Sequence, residues 1–201
     1  MNTAPISLKR YVSAPASAVE LEMFPQETAA CFAPFFALRS ELGPWKWQAV
    51  TAARDALIEK RCLADFSVQL QWKRKTEAYM NDAGQVYLSA GLLATSSAMT
   101  VLSVYCHELA HIKLSQREDY PAIKALQREF KQHFKHHKQC ELLSPIEFYA
   151  MLISRPLLSA MAENAHSDRQ KKKLARLQED LEQKIRLLEQ QIVKLSEEFV
   201  T

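Results

Sequence analysis

The chain is poor in glycine, has no paired cysteine motif and contains no long apolar run. Only three of its 201 residues are glycine, which argues against an all-β fold with many tight turns. Its four cysteines lie far apart without a C-x-x-C pair. This spacing favours reduced thiols in a cytoplasmic protein over a disulfide framework or a zinc ribbon. No stretch approaches about 20 uninterrupted apolar residues, so we expect no membrane span.

The charge balance is moderate. A net charge of +3 is too small to indicate nucleic-acid binding, because phosphate binding needs concentrated lysine and arginine. The basic runs KHHK (135–138) and QKKK (170–173) lack the interleaved aromatic residues of a single-strand platform. The N-terminal segment has no apolar core of the kind found in secretory signal peptides. We therefore expect a cytoplasmic globular protein that binds neither nucleic acid nor membrane.

Three segments are predicted along the chain. Residues 1–20, rich in Ala, Ser and Pro, are predicted to form a loose N-terminal arm. Residues 21–165 form the main domain, and residues 166–201 carry a heptad pattern of leucine and isoleucine, typical of a long coiled-coil helix. That helix either packs back on its own domain or binds a partner, such as a second copy, through residues 167–199.

The main domain is predicted to be α+β, with a small antiparallel or mixed sheet between helices. Predicted helices cover 27–42 (beginning or kinked at Pro34), 45–63, 98–114 and 144–154 (restarted or kinked at Pro156). Predicted strands cover 65–73, 75–80 and 85–90. In the first strand, Phe66, Val68, Leu70 and Trp72 alternate with polar residues, which indicates one buried face. The turn NDAG (81–84) predicts a hairpin in which Gly84 adopts a positive φ.

The segment VYCHELAHIKL (104–114) carries the strongest chemical signal. Residues four apart on a helix lie one turn above each other, so His107 and His111 can direct two imidazoles at one ion. This is the H-E-x-x-H arrangement of zinc sites. Glu108 lies beside them, where it can take a proton from a zinc-activated water and pass it to a leaving amine. The alternative is a partly buried pair of structural histidines.

The strand, the hairpin and the helix with CHELAHIKL resemble the zincin metallopeptidases, and the short chain resembles their minigluzincin form. The resemblance covers about residues 64–155. It implies a zincin-like domain with a Zn²⁺ cofactor, a peptide or protein substrate, and Glu108 as general base and acid. The chain departs from metzincins, because Leu114 and Arg117 stand where that group has Gly and a third His. Lys113 also departs from the apolar residue that many zincins have.

The third metal ligand is open between two sets of residues. The resemblance to gluzincins implies Glu147, followed by Ala150, although Met151 replaces the Asp often found next. The run from Ser144 to Glu147 is also a capping box, in which Glu147 would bond only a backbone N–H. The rival ligands are His133, His136 and His137.

Two further functions stay open. The zincin-like domain could be a non-catalytic scaffold that acts as an interaction protein through its C-terminal helix. A di-iron carboxylate protein would instead use the pairs Glu108-His111 and Glu163-His166, although a strand over 66–73 does not belong in such a bundle. For a peptidase, we expect the strand QVYLSA (85–90) to be the sheet edge that holds an extended substrate.

Overall fold

The computed structural model describes residues 24–38, 40, 44–134 and 144–198, so the predicted N-terminal arm lies outside the described residues. The chain begins with a 3-10 helix, Gln26–Phe32. The α-helices and strands are α1 (Ala33–Phe36), α2 (Trp45–Glu59), β1 (Ser67–Gln71), β2 (Ala78–Met80), β3 (Gln85–Ser89), α3 (Ala90–Thr95), α4 (Ala98–Ser115), α5 (Tyr120–Phe134), α6 (Pro145–Asn164) and α7 (Asp168–Glu198). The protein is therefore α+β, as the sequence predicts.

The described sheet has three strands and is mixed. Strand β3 lies in the middle, parallel to β1 and antiparallel to β2. The β2–β3 hairpin turns where predicted, with Gly84 at a φ of 72°. The prediction that β3 forms the sheet edge is wrong, because β1 pairs with the side of β3 that β2 leaves open. The edges of this sheet are β1 and β2.

The structure corrects two predictions, one about the end of the first strand and one about Pro156. Trp72 was expected on the buried face of the first strand, but β1 ends at Gln71 and the Trp72 side chain is 87% exposed. Pro156 was expected to kink or restart its helix; the helix does not restart there, because α6 continues through Pro156 to Asn164. The neighbouring residues Ile153 and Leu157 are buried in the core. Their packing supplies the stability that the missing proline N–H removes from the helix.

Helix α5 was not predicted, because its composition is polar and basic. Its buried residues Ile123, Gln127 and Phe130 follow helical spacing. Gln127 bonds to Ile146 and Phe130 clusters with Phe148, both at the start of α6, while Ile123 lies in the main core. A narrow apolar stripe of this kind is typical of a surface helix whose remaining faces contact solvent.

Helix α4 lies at the centre of the domain. It contacts α6 and α7 on one side and strands β2 and β3 on the other. Ser97 caps its N-terminus, since the hydroxyl of Ser97 accepts a hydrogen bond from the N–H of Thr100. Leu102, Tyr105 and Leu109 are fully buried. This packing fixes the rotation of α4 and therefore the direction of the histidine side chains.

Helix α7 packs on its own domain along the part whose side chains are described. Leu174 is fully buried in the main core. Ile185 and Leu188 are buried in a second cluster with Phe130 and Phe148. None of the helices in the described ranges combines the length and apolarity needed to cross a membrane.

Candidate metal centre

Helices α4 and α6 bring His107, His111 and Glu147 together. The Nε2 atoms of His107 and His111 are 3.2 Å apart, and the two rings are nearly perpendicular, at 85°. Glu147 lies in the first turn of α6. Its Oε2 is 3.2 Å from Nε2 of His107, and its Oε1 is 3.4 Å from Nε2 of His111. These three residues, called the metal group below, could hold a metal ion.

The first turn of α6 leaves the Glu147 carboxylate available for this contact. The hydroxyl of Ser144 accepts the N–H of Glu147 at 3.3 Å. The side-chain oxygen of Gln127 accepts the N–H of Ile146, also at 3.3 Å, and Pro145 has no N–H to satisfy. One half of the predicted capping box is thus present, while the carboxylate turns towards the histidines.

The electrostatics of Glu147 follow from these neighbours. Burial by itself raises the pKa of Glu147, but hydrogen bonds with His107 and His111 outweigh it and hold the pKa well below its usual range. Glu147 is therefore ionised at neutral pH, which is the form in which a carboxylate binds a metal.

Glu108 lies between the metal group and the sheet. It is only 6% exposed, and the backbone of Met80 in β2 lies beside its carboxylate. Burial raises the pKa of Glu108 to about 7, with a smaller raising effect from Glu147 and lowering effects from His107 and the Met80 backbone. Glu108 thus lies where the motif helix meets an edge strand of the sheet.

A cleft of about 420 Å³ opens at the metal group. Strand β2 borders it with residues Ala78–Met80, and Tyr120 and Ile146 also line it, together with Glu108 and the metal group. An extended chain in this cleft would contact both the edge strand and the histidines.

The second Glu-x-x-His pair takes no part in this arrangement. Glu163 and His166 are exposed, and the His166 ring lies edge-on to Phe36, at 5.9 Å between centroids. Within the described ranges, the metal group is the one set of potential ligands that converges. The rivals His136 and His137, and the side chain of His133, lie outside the described residues.

Several residues of the site could not be named from the sequence. Met80 and Gln127 act through contacts with residues distant in the chain. Tyr120 enters the cleft because α5 packs beside α6. The spacing of Ile123, Gln127 and Phe130 could have indicated α5 as a helix, but no local pattern indicates which residues it contacts.

Comparison of the chain with known protein families, with curated protein sequences and with solved structures finds no match.

Proposed function

We propose that the protein is a zinc-dependent metallopeptidase of the zincin type, similar to the short gluzincins. The observation that carries the proposal is the convergence of His107, His111 and Glu147 beside Glu108 in a cleft bordered by an edge strand. A structural histidine pair would not require the buried Glu108 and the half-buried Glu147 beside it.

The metal group fits zinc in spacing and in chemistry. Ligand atoms of a tetrahedral zinc site with bonds of about 2.0–2.1 Å lie roughly 3.3 Å from each other. Here the two histidine Nε2 atoms are 3.2 Å apart, and each of them lies 3.2 or 3.4 Å from a different oxygen of Glu147. Taken one per residue, the three ligand atoms lie within 4.8 Å of one another. Two imidazoles and one carboxylate are also a ligand set of catalytic zinc sites, which leave the fourth position open. His107, His111 and Glu147 would therefore hold Zn²⁺.

Zn²⁺ held by His107, His111 and Glu147 would lower the pKa of a bound water to about 7 and would polarise the carbonyl of the scissile bond. Glu108 accepts the proton that the attacking water loses and donates it to the leaving amine. Glu108 is buried beside the backbone of Met80, which restricts the movement of its carboxylate. Both proton transfers thus use one buried carboxyl group.

Strand β2 is suited to hold the substrate. It lies at an edge of the described sheet and borders the metal cleft. An extended peptide can pair with such an edge through main-chain hydrogen bonds, largely independently of its side chains. This pairing would place the scissile bond over α4.

The proposal is tested by zinc content and peptide hydrolysis of the wild type and of Glu108→Gln. We expect one zinc per chain in both proteins after dialysis against Zn²⁺. We expect kcat for an unfolded protein substrate to fall about 10²–10⁴-fold in the variant, the usual contribution of a general base. Gln has nearly the same shape as Glu, so the variant retains the packing around α4.

Two outcomes would separate the parts of this proposal. Stoichiometric zinc without Glu108-dependent hydrolysis would contradict the peptidase and leave the metal centre intact. A wild-type protein that binds no zinc would contradict both.

A further inference from the structure

A second, larger groove of about 1010 Å³ adjoins the metal cleft. The two cavities share four lining residues: Asp82, Tyr120, Ile146 and Glu147. A substrate chain that passes the metal group on the side of Glu147 therefore enters this groove.

One face of α5 makes the groove cationic. Lys124, Arg128 and Lys131 line it at positions i, i+4 and i+7 of the helix, which lie on one side of a helix. Lys124 forms an ion pair with Asp82 at 3.3 Å, and its ammonium lies 5.5 Å from the centre of the Tyr120 ring. Its charge is thus already balanced.

Arg128 and Lys131 are the other two basic residues of this face. Both are exposed, and neither has an acidic partner in the part of the chain that the structure describes. Among the described residues, the acidic ones that line the groove are Asp82, which is paired with Lys124, and Glu147, which is directed at the histidines. Two positive charges therefore face the groove.

Residues of α5 beside this basic face hold its charges at a fixed place relative to the metal group. Gln127 is 8% exposed, and its side-chain oxygen accepts the N–H of Ile146, one residue before Glu147. Phe130 is buried against Phe148 in the second cluster. Because α5 is anchored to the first turns of α6, the groove is a built surface beside the metal centre.

We propose that this groove binds acidic side chains of the substrate, so that the preferred substrates are peptides with Asp or Glu close to the cleaved bond. The assignment rests on the proposed peptidase function. Charge complementarity selects acidic residues, and the adjoining edge strand β2 selects an extended peptide over other polyanions. Nucleic acid is disfavoured, since Tyr120 is the one aromatic ring among the described residues that line the groove and Lys124 lies over it.

Binding of two matched peptides tests the inference. One fluorescent peptide carries three glutamates, and its twin carries glutamine at the same positions. Their affinities are measured by fluorescence anisotropy with the full, zinc-loaded chain carrying Glu108→Gln, so that neither peptide is cut. We expect the acidic peptide to bind about tenfold more tightly at low salt and to lose this advantage as salt screens the charges.

The double variant Arg128→Gln/Lys131→Gln is expected to remove most of the tenfold difference and to leave binding of the glutamine twin unchanged. A matched control is Lys171→Gln/Lys184→Gln, which removes the same charge from exposed positions on α7. It should alter neither affinity, because its charges lie outside the groove.

Equal affinity for the two peptides, or an equal effect of both double variants, would overturn the groove assignment. Displacement of the acidic peptide by a single-stranded oligonucleotide at lower concentration than by unlabelled acidic peptide would also overturn it, in favour of a nucleic-acid site. Hydrolysis assays with the wild type separate this inference from the peptidase proposal. Acidic preference in binding without any cleavage would contradict the peptidase alone, whereas equal kcat/KM for both peptides would contradict the groove alone.

Discussion

The carboxylate of Glu147 lies at the N-terminus of α6. At this position it could accept a hydrogen bond either from a backbone N–H or from the two imidazoles. Ser144 and Gln127 accept the first free N–H groups of this helix. The carboxylate then contacts His107 and His111. Its ionised state and its position both follow from neighbours that lie far from it in the chain.

We expect Glu147→Gln to weaken zinc binding by at least about 100-fold. Replacement of an indirect partner of a metal ligand already costs about 10–100-fold in affinity, and a direct ligand contributes more. The measurement is competition for Zn²⁺ with a chromophoric chelator. Glu118→Gln is the matched control, because it removes the same charge from an exposed side chain and should leave the affinity unchanged. If the two variants bound zinc equally well, Glu147 would not be the third ligand.

At the scale of elements, the position of β2 depends on a close contact between residues 73–77, which precede it, and the start of α3. The N–H of Gly91 donates to the carbonyl of Lys73 at 2.8 Å. The hydroxyl of Ser89 donates to the carbonyl of Lys75 and accepts the N–H of Glu77. These bonds fix the segment between β1 and β2 and so place the edge strand beside α4.

We expect Gly91→Ala to destabilise the protein by about 2 kcal/mol, measured by urea unfolding. A Cβ at this position would lie 2.1 Å from the carbonyl oxygen of Arg74, so the backbone would have to move. Gly84→Asn is the control, because a Cβ there meets no atom within 4 Å and Asn tolerates its positive φ. A loss at Gly91 no larger than that at Gly84 would show that the loop can shift without cost.

At the scale of the whole molecule, helix α7 packs on its own domain, although its heptad pattern would also suit binding to a partner. Its heptad leucines and isoleucines have the spacing of a coiled coil. Leu174, Ile185 and Leu188 nevertheless lie in the two core clusters of the same chain. This part of the helix therefore contributes to both hydrophobic clusters of the domain.

Leu174→Ala should lower the free energy of unfolding by about 2–5 kcal/mol, since it leaves a cavity in the core. Leu187→Ala removes the same atoms from a side chain that is 49% exposed, and its effect should stay below about 1 kcal/mol. Chemical denaturation of both variants, at several protein concentrations, provides the comparison. Comparable losses, or a loss at Leu187 that grows on dilution, would indicate that the helix is stabilised mainly by association.

The spacing of residues near in the chain predicts much of the fold. In the candidate site it predicts the pair of histidines on α4. The period of the helix aligns His107 with His111, and the helix begins at Ala98, as predicted, with Ser97 as its cap. Gly84 turns the hairpin at the predicted place. These features depend on backbone sterics and on hydrogen bonds between residues near in the chain, which a sequence displays directly.

Tertiary packing decided the rest. Glu147 contacts a histidine that is 40 residues away. Strand β1 pairs with β3, which leaves β2 as the edge that borders the metal cleft. Helix α5 places its basic face beside that cleft. Each contact joins segments that have no spacing in common, so no local pattern encodes it. The stability of these contacts comes from the apolar area that all the elements bury together. Only the complete arrangement determines which surfaces meet.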